Sequence, residues 1–403
     1  MARSMILAYD PTEGTWKSGH IDLLAANVIL DPICYIFLEN GNWYKQCPEM
    51  DRYRILELLQ VPKFLGRKIC TNLNGYFGCR SSVEAGSKGI LKGLTAWFRI
   101  LTKKTLIAEE ALEYGGAEYI WYEMGFFIQW SGISSARVLC IDTPQSVRTQ
   151  LAGILAGSPS LELRDPFAML YPLLDEVITE CDDNTWRVTR GVRDIEKAWQ
   201  PPNISSDARA PTLLKWRYGG SLTRSQARHE KPTFEVLNNL ARHVRHTVEV
   251  ESVAVETLQR LASQQQINFT RLPGNIPETY QIQAQEYLAF QLQMMKSLRW
   301  RAQASSERLD GEIHLAYNIL ASTDNQIMKS VALLTMIFLP STFIATLFST
   351  TFFSFAEDGW LASNAFWIYW VVVIPLSIAV VLAWRFWLGR SKSIRSRLLR
   401  TSK

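Results

Sequence analysis

The sequence predicts an α+β cytosolic domain, then a long stalk helix and a two-helix transmembrane hairpin. Three observations predict it. Short strand-like runs mix with helical patches up to about residue 160, helical periodicity continues unbroken from about residue 277, and two uncharged apolar stretches follow it. The chain has 403 residues, of which 47% are hydrophobic and 20% charged, with a mean hydropathy of −0.03. That mean excludes a protein built mostly of membrane spans, but one or two local spans are compatible with it.

Taken in order, residues 1–164 read as an α/β domain. Candidate strands are 5–9, 33–38, 120–129 and 137–141, where β-branched and aromatic residues concentrate between turn signals. Residues 53–59 and 146–155 read as helices. Residues 165–276 read as a helical region. Asp165 is placed to cap a helix with Pro166 at its first position, and 167–199 repeats apolar residues at helical spacing. Pro, Ser and Gly make 200–232 a loop, a helix follows over about 233–266, and Pro273, Gly274 and Pro277 place a second loop at 267–276. The stalk helix is read over 277–329.

The two spans are 330–356 and 359–384, with 27 and 26 residues and no charge in either. Each exceeds the ~20 apolar residues that cross the hydrocarbon. Trp360, Phe366, Trp367, Tyr369 and Trp370 gather at one end of the second span, and Trp384, Phe386 and Trp387 at the other, as interfacial belts do. Pro375 is placed to kink it. Glu357 and Asp358 alone separate the spans.

Charge fixes the orientation. The net charge is +5, yet residues 1–329 balance 36 basic against 36 acidic side chains, and residues 385–403 hold seven basic ones and no acid. Basic flanks stay on the cytoplasmic side. Both termini are therefore expected inside and the acidic loop outside, with the plasma membrane as the expected location. The sequons at Asn203 and Asn268 would then be cytosolic and unmodified. The basic tail suits anionic headgroups, and a neutral body gives no reason to expect a nucleic-acid partner.

A stripe of Asn325, Met328, Ala332, Thr335, Leu339, Thr342, Thr346 and Ser349 steps by three or four along the stalk and first span. Its hydroxyls have two readings: back-bonding to the preceding turn and helix packing, or the lining of a pore if several copies surround an axis. Beside it, Leu309, Ile313, Ala316, Leu320, Thr323 and Ile327 form a coiled-coil type seam.

At this point the sequence resembles the CorA-like divalent metal channels. The run from Met328 to Phe348, MKSVALLTMIFLPSTFIATLF, looks like their first transmembrane helix, and the acidic loop, aromatic second span and basic tail follow in the same order. The segments from Trp186 to Glu196 and from Ala241 to Glu249 are similar to the divergent fungal branch of that family. The resemblance covers about 165–403. It implies a homopentamer with an α/β funnel, a stalk helix per subunit and first spans lining a central pore. Pore positions would be Asn325, Thr335, Leu339, Thr342, Thr346, Ser349, Thr350 and Thr351, with Glu357 and Asp358 at the outer mouth. The family's Gly-Met-Asn signature falls on Ser349-Thr350-Thr351, followed by Phe352, so hydroxyls stand where the signature has an amide.

The resemblance implies a channel passing hydrated divalent cations, Mg²⁺ or a related metal, down the membrane potential. The other reading is a non-conducting, membrane-anchored scaffold or regulatory protein that kept the fold. No resident cofactor is expected beyond the metal as transported or regulatory ion. Weak metal candidates are Asp182 with Asp183, a pair more often found as a solvated turn, and His243 with His246, more often a polar packing face. No enzyme is expected, because H-E-x-x-H, G-x-x-x-x-G-K-[ST] and G-x-G-x-x-G are all absent. The six cysteines are scattered without metal-finger spacing and read as reduced thiols.

Overall fold

The computed structural model describes residues 3–25, 28–38, 47–84, 89–157, 161–199, 233–272, 276–349, 353–356, 359–362, 367–368 and 370–383. The chain divides into two units, Met1–Ile313 and His314–Lys403.

The first unit is built on a seven-stranded mixed sheet. Its strands are β1 (Arg3–Asp10), β2 (Thr15–Asp22), β3 (Ile33–Leu38), β4 (Gly75–Val83), β5 (Leu91–Thr105), β6 (Tyr119–Trp130) and β7 (Ala136–Ile141). The spatial order is β2-β1-β3-β7-β6-β5-β4, with β3 and β7 parallel and every other pair antiparallel. Helix α1 (Glu49–Leu58) follows β3, α2 (Ala108–Glu113) lies between β5 and β6, and α3 (Gln145–Gly157) follows β7. Then come α4 (Leu170–Trp199), α5 (Phe234–Phe269) and α6 (Glu278–Phe348).

Strand β3 shows why the sheet is central. All six of its residues are buried, and side chains alternate between faces. Tyr35 and Phe37 join a core with Phe98, Phe126, Val147 of α3, Val177 of α4, Leu258 of α5 and Leu288 of α6. Cys34 and Ile36 join a second core with Leu139 and with Ile55 and Leu56 of α1. Each fully buried side chain of this size stabilises the fold by about 1.5–3 kcal/mol, so a three-layer sandwich is the arrangement that uses both faces.

The four predicted strands are all present. Strands β2, β4 and β5 carry no such signal. Strand β2 is an edge with half-exposed residues, held by its hairpin to β1, where Gly14 takes φ +68° at the turn. Strand β4 is masked by glycines: Gly78 pairs with Trp97 of β5, and a Cβ there would come 2.4 Å from the indole nitrogen. Strand β5 carries Arg99 and Lys103, which are nonetheless 1% and 3% exposed.

Two helix boundaries differ from the sequence reading. Asp165 does not start a helix at Pro166. Its Oδ1 accepts the Phe167 N–H at 2.8 Å in a turn, and α4 begins at Leu170. Helix α5 runs on to Phe269 because Asn268 and Phe269 are buried, so the expected loop at 267–276 is shorter. The expected loop at 200–232 lies outside the described residues.

Helix α6 is continuous for 71 residues, as the periodicity requires. Its first part belongs to the packed body rather than to a free stalk: Leu288, Met295, Leu298 and Leu309 are each at most 4% exposed. In the second unit α6 exposes Ile327, Met328, Val331, Leu334, Phe338 and Phe343. It stops at Phe348, short of the expected end at 356.

Residues 353–356 are not helical. They form β8 (Phe353–Ala356), antiparallel to β9 (Gly359–Ala362), with Ala356 opposite Gly359. The pairing satisfies backbone groups that the helix no longer serves. The second expected span, 359–384, is therefore not helical from its start: residues 359–362 are β9, and the helix α7 (Trp370–Ala383) comes later. The basic tail at 385–403 lies outside the described residues.

Candidate functional site

The helical repeat places Asn325, Thr335, Leu339, Thr342 and Thr346 along one stripe of α6, with Ser349 in the turn just after it, and all six are exposed in the single chain. Thr335 donates its hydroxyl proton to the Val331 carbonyl at 2.9 Å, Thr342 to Phe338 at 2.5 Å, and Thr346 to Thr342 at 2.9 Å. A hydroxyl has one proton and two lone pairs. With the proton held by the helix, each of these residues presents only oxygen lone pairs outward. Thr323, Ser330 and Ser341 make the same back-bond away from the stripe, so it is the spacing that singles out the stripe and the bond that sets its polarity. Pro340 lies inside the helix at this level. It has no N–H for the Met336 carbonyl, which adds one more free acceptor to this segment. Thr350, Thr351, Glu357 and Asp358 lie outside the described residues.

The candidates in the first unit are not brought together. Asp183 is exposed and sits 4.0 Å from Arg187, and Asp182 is half-buried. His243 is 1% exposed and edge-on to the Tyr119 ring at 5.3 Å, and burial pushes its pKa down to about 3. The His246 Nδ1 lies 2.9 Å from the Lys103 ammonium. A lysine thus occupies the place of a cation, and burial together with Lys103 lowers the pKa of His246. Glu249, the acid one turn on, accepts the Asn74 amide at 2.5 Å. Among the described residues no three His, Cys, Asp or Glu side chains are grouped to hold a metal.

Sequence reasoning missed Lys103. Its Nζ stands 3.9 Å from the centre of the Tyr119 ring and 5.3 Å from that of Trp121. The cross-strand pairing of Lys103 with Trp121 creates this cage, and no local pattern announces it.

Residues 220–390 match the sequence model of the CorA-like Mg2+ transporter protein family. Over those residues the chain resembles the CorA-like transporters. Its fold is similar to that of the complete CorA magnesium transporter from Methanocaldococcus jannaschii, at 14% identity with a TM-score of 0.53, over 96% of this chain and 98% of that one. It is also similar to the full-length CmaX protein, at 11% identity and a TM-score of 0.53, over 95% of this chain and 96% of that one. A curated relative, notoamide biosynthesis cluster protein M' of Aspergillus versicolor, is 27% identical over 307 residues, which are 71% of this chain. The match spans 61% of that relative's length.

The family match includes the exposed apolar part of α6 and the stripe on it. Among the described residues, α6 is the one helix long and apolar enough to cross a bilayer, and its apolar window is 6% buried. A core helix of a water-soluble domain would be buried. An apolar surface of this length is one that a bilayer would cover.

Proposed function

We propose that this CorA-like protein assembles as a homopentamer of two-span subunits and passes hydrated divalent cations, Mg²⁺ or a related metal, down the membrane potential. The observation that carries the proposal is the acceptor-only stripe. Around a fivefold axis, Thr335, Thr342 and Thr346 would form rings of oxygen lone pairs, and Ser349, Thr350 and Thr351 would continue them outward. Mg²⁺ gives up its waters reluctantly and is usually held through them. Those waters donate hydrogen bonds, and the rings accept them. Glu357 and Asp358 would concentrate cations at the outer mouth, and Asn325 would line the inner end. Leu339 would form an apolar ring able to gate by dewetting. A divalent ion gains about 4.6 kcal/mol per 100 mV on crossing, so no other energy source is needed.

The proposed topology keeps both termini cytoplasmic, with the plasma membrane as the location and the basic tail near anionic headgroups. The domain limits proposed from sequence follow the same plan, with α6 leaving the body for the membrane. Asp182, Asp183, His243 and His246 are not assigned to a regulatory metal.

Two observations favour a second reading, a non-conducting scaffold or regulatory protein. Ser349-Thr350-Thr351 stands in place of the Gly-Met-Asn signature, and the curated relative is named as a biosynthesis cluster protein. Uptake in a Mg²⁺-transport-deficient cell separates the two. Rescue of growth and metal-dependent current support conduction, whereas well-folded protein that gives neither overturns it. Native mass measurement in mild detergent tests the pentamer directly.

A further inference from the structure

The first unit encloses a small polar cavity between β5, α4 and α5, with room for a single water-sized guest. Glu251 of α5, 3% exposed, lines it. Its Oε1 accepts the Thr185 hydroxyl, and its buried Oε2 has no hydrogen-bond partner. Asn184 of α4, 2% exposed, lines it too. The Asn184 amide nitrogen donates to the Glu180 carbonyl at 2.7 Å and to the Thr102 hydroxyl at 3.1 Å, which leaves the buried Oδ1 without a partner. Flipping the amide would set Oδ1 against the Glu180 carbonyl, so the orientation is fixed.

Two residues that line one cavity therefore each carry an unpartnered buried acceptor, and one of these acceptors belongs to a carboxylate. Among the described residues Glu251 forms no ion pair. Asp182 on α4 adds further negative charge nearby, and Glu180 is itself buried. Lys103 also borders the cavity, but its ammonium is engaged by His246 and Tyr119. Burial pushes Glu251 up to about 8, which marks a carboxylate that lacks a positive neighbour.

A buried, unneutralised carboxylate costs several kcal/mol. A water in the cavity could donate to both acceptors and would leave the charge uncompensated. A proton on Glu251 together with a water would also satisfy both acceptors, and the salt comparison below separates that state from a bound cation. A cation answers both acceptors and the charge. The cavity has no room for a hydration shell, which argues against Mg²⁺, and one carboxylate matches a single positive charge. We propose that Glu251 and Asn184, with the hydroxyl oxygens of Thr102 and Thr247, bind one dehydrated alkali-metal cation inside each subunit. Bound there, the ion ties β5, α4 and α5 together and stiffens the body independently of any ion in the pore.

The test is thermal unfolding of the full chain in detergent at fixed ionic strength, with choline chloride replaced stepwise by NaCl or KCl. The expected result is a saturable rise of about 3–5 °C in midpoint with one of the two ions. Glu251→Gln keeps the shape, removes the charge and is expected to abolish the rise. Thr102→Val, which removes one oxygen, should shift the half-saturating concentration about tenfold upward. Equal midpoints in choline, Na⁺ and K⁺ would mean a water-filled or protonated cavity and overturn the proposal. So would an equal rise in wild type and in both variants. The choline comparison on the wild type decides the matter even where a variant does not fold.

Discussion

Lys103 and His246 meet base to base, with the ammonium 2.9 Å from the imidazole Nδ1, inside a wall formed by Tyr119 and Trp121. The contact is stable only while the ring is neutral, since Nδ1 must accept from Lys103. His243, one turn earlier on α5, is buried beside the same Tyr119 ring. Burial is the largest influence on all three groups and acts against their charged forms.

Acid should therefore unfold the first unit through these histidines. The folded-state pKa of His243 lies near 3 against an ordinary 6.5, so the unfolded chain binds more protons between those values. Stability is full above pH 6.5 and falls as pH drops toward 3, by up to about 4–5 kcal/mol from this residue. His243→Leu is expected to flatten that limb. Denaturant midpoints measured from pH 7 to pH 4 on both proteins check it, and an unchanged slope would refute it.

Asp165 joins three elements. It accepts the Phe167 N–H at 2.8 Å and the hydroxyls of Tyr171 at 2.6 Å and Tyr280 at 3.1 Å. Asp165→Ala leaves these donors without their acceptor and should cost about 2–4 kcal/mol, whereas Tyr280→Phe removes one bond and should cost about 1 kcal/mol. Urea unfolding of the two variants ranks them.

Gly78 makes room for Trp97. Adding a methyl group at Gly78 would bring a Cβ within 2.4 Å of the indole nitrogen, so Gly78→Ala should cost about 1–3 kcal/mol and move the indole. The tryptophan has a cross-strand position in the sheet, and its near-ultraviolet dichroism should change along with the midpoint. Loss of stability without any aromatic change would point to a different cause.

Two substitutions on the stripe separate conduction from scaffolding. Thr342→Leu removes a proposed ring of acceptors and should abolish cation flux into liposomes while leaving assembly intact. Leu339→Ser wets the proposed constriction and should raise basal flux at least tenfold. Flux unaffected by either variant would remove the stripe from the pore.

Residue by residue, the legible part of the sequence was the part with a periodicity. Strand 33–38 is read to the residue because all six positions are apolar, and α6 is read because its helical repeat never breaks. The acceptor stripe follows from that repeat alone. Strands β2 and β4 escape because a polar edge and a glycine facing an aromatic carry no local signal. The metal reading of His243 and His246 fails for a related reason: their helical spacing is correct, but the neighbour across the sheet is a lysine.

The sequence by itself determined the long helix, its apolar segment and the spacing of the stripe, since each depends on neighbours three or four positions apart. Only the tertiary structure decided that Arg99 and Lys103 are buried, that Asp165 holds three elements rather than starting one, and that Glu251 and Asn184 share a cavity. Those facts depend on residues far apart in the chain, such as Asp165 with Tyr280, 115 positions on, and Asn184 with Thr102, 82 positions back. The physical reason is that burial is a property of the assembled layers. A charged side chain on a strand looks solvated until the helix that covers it is in place.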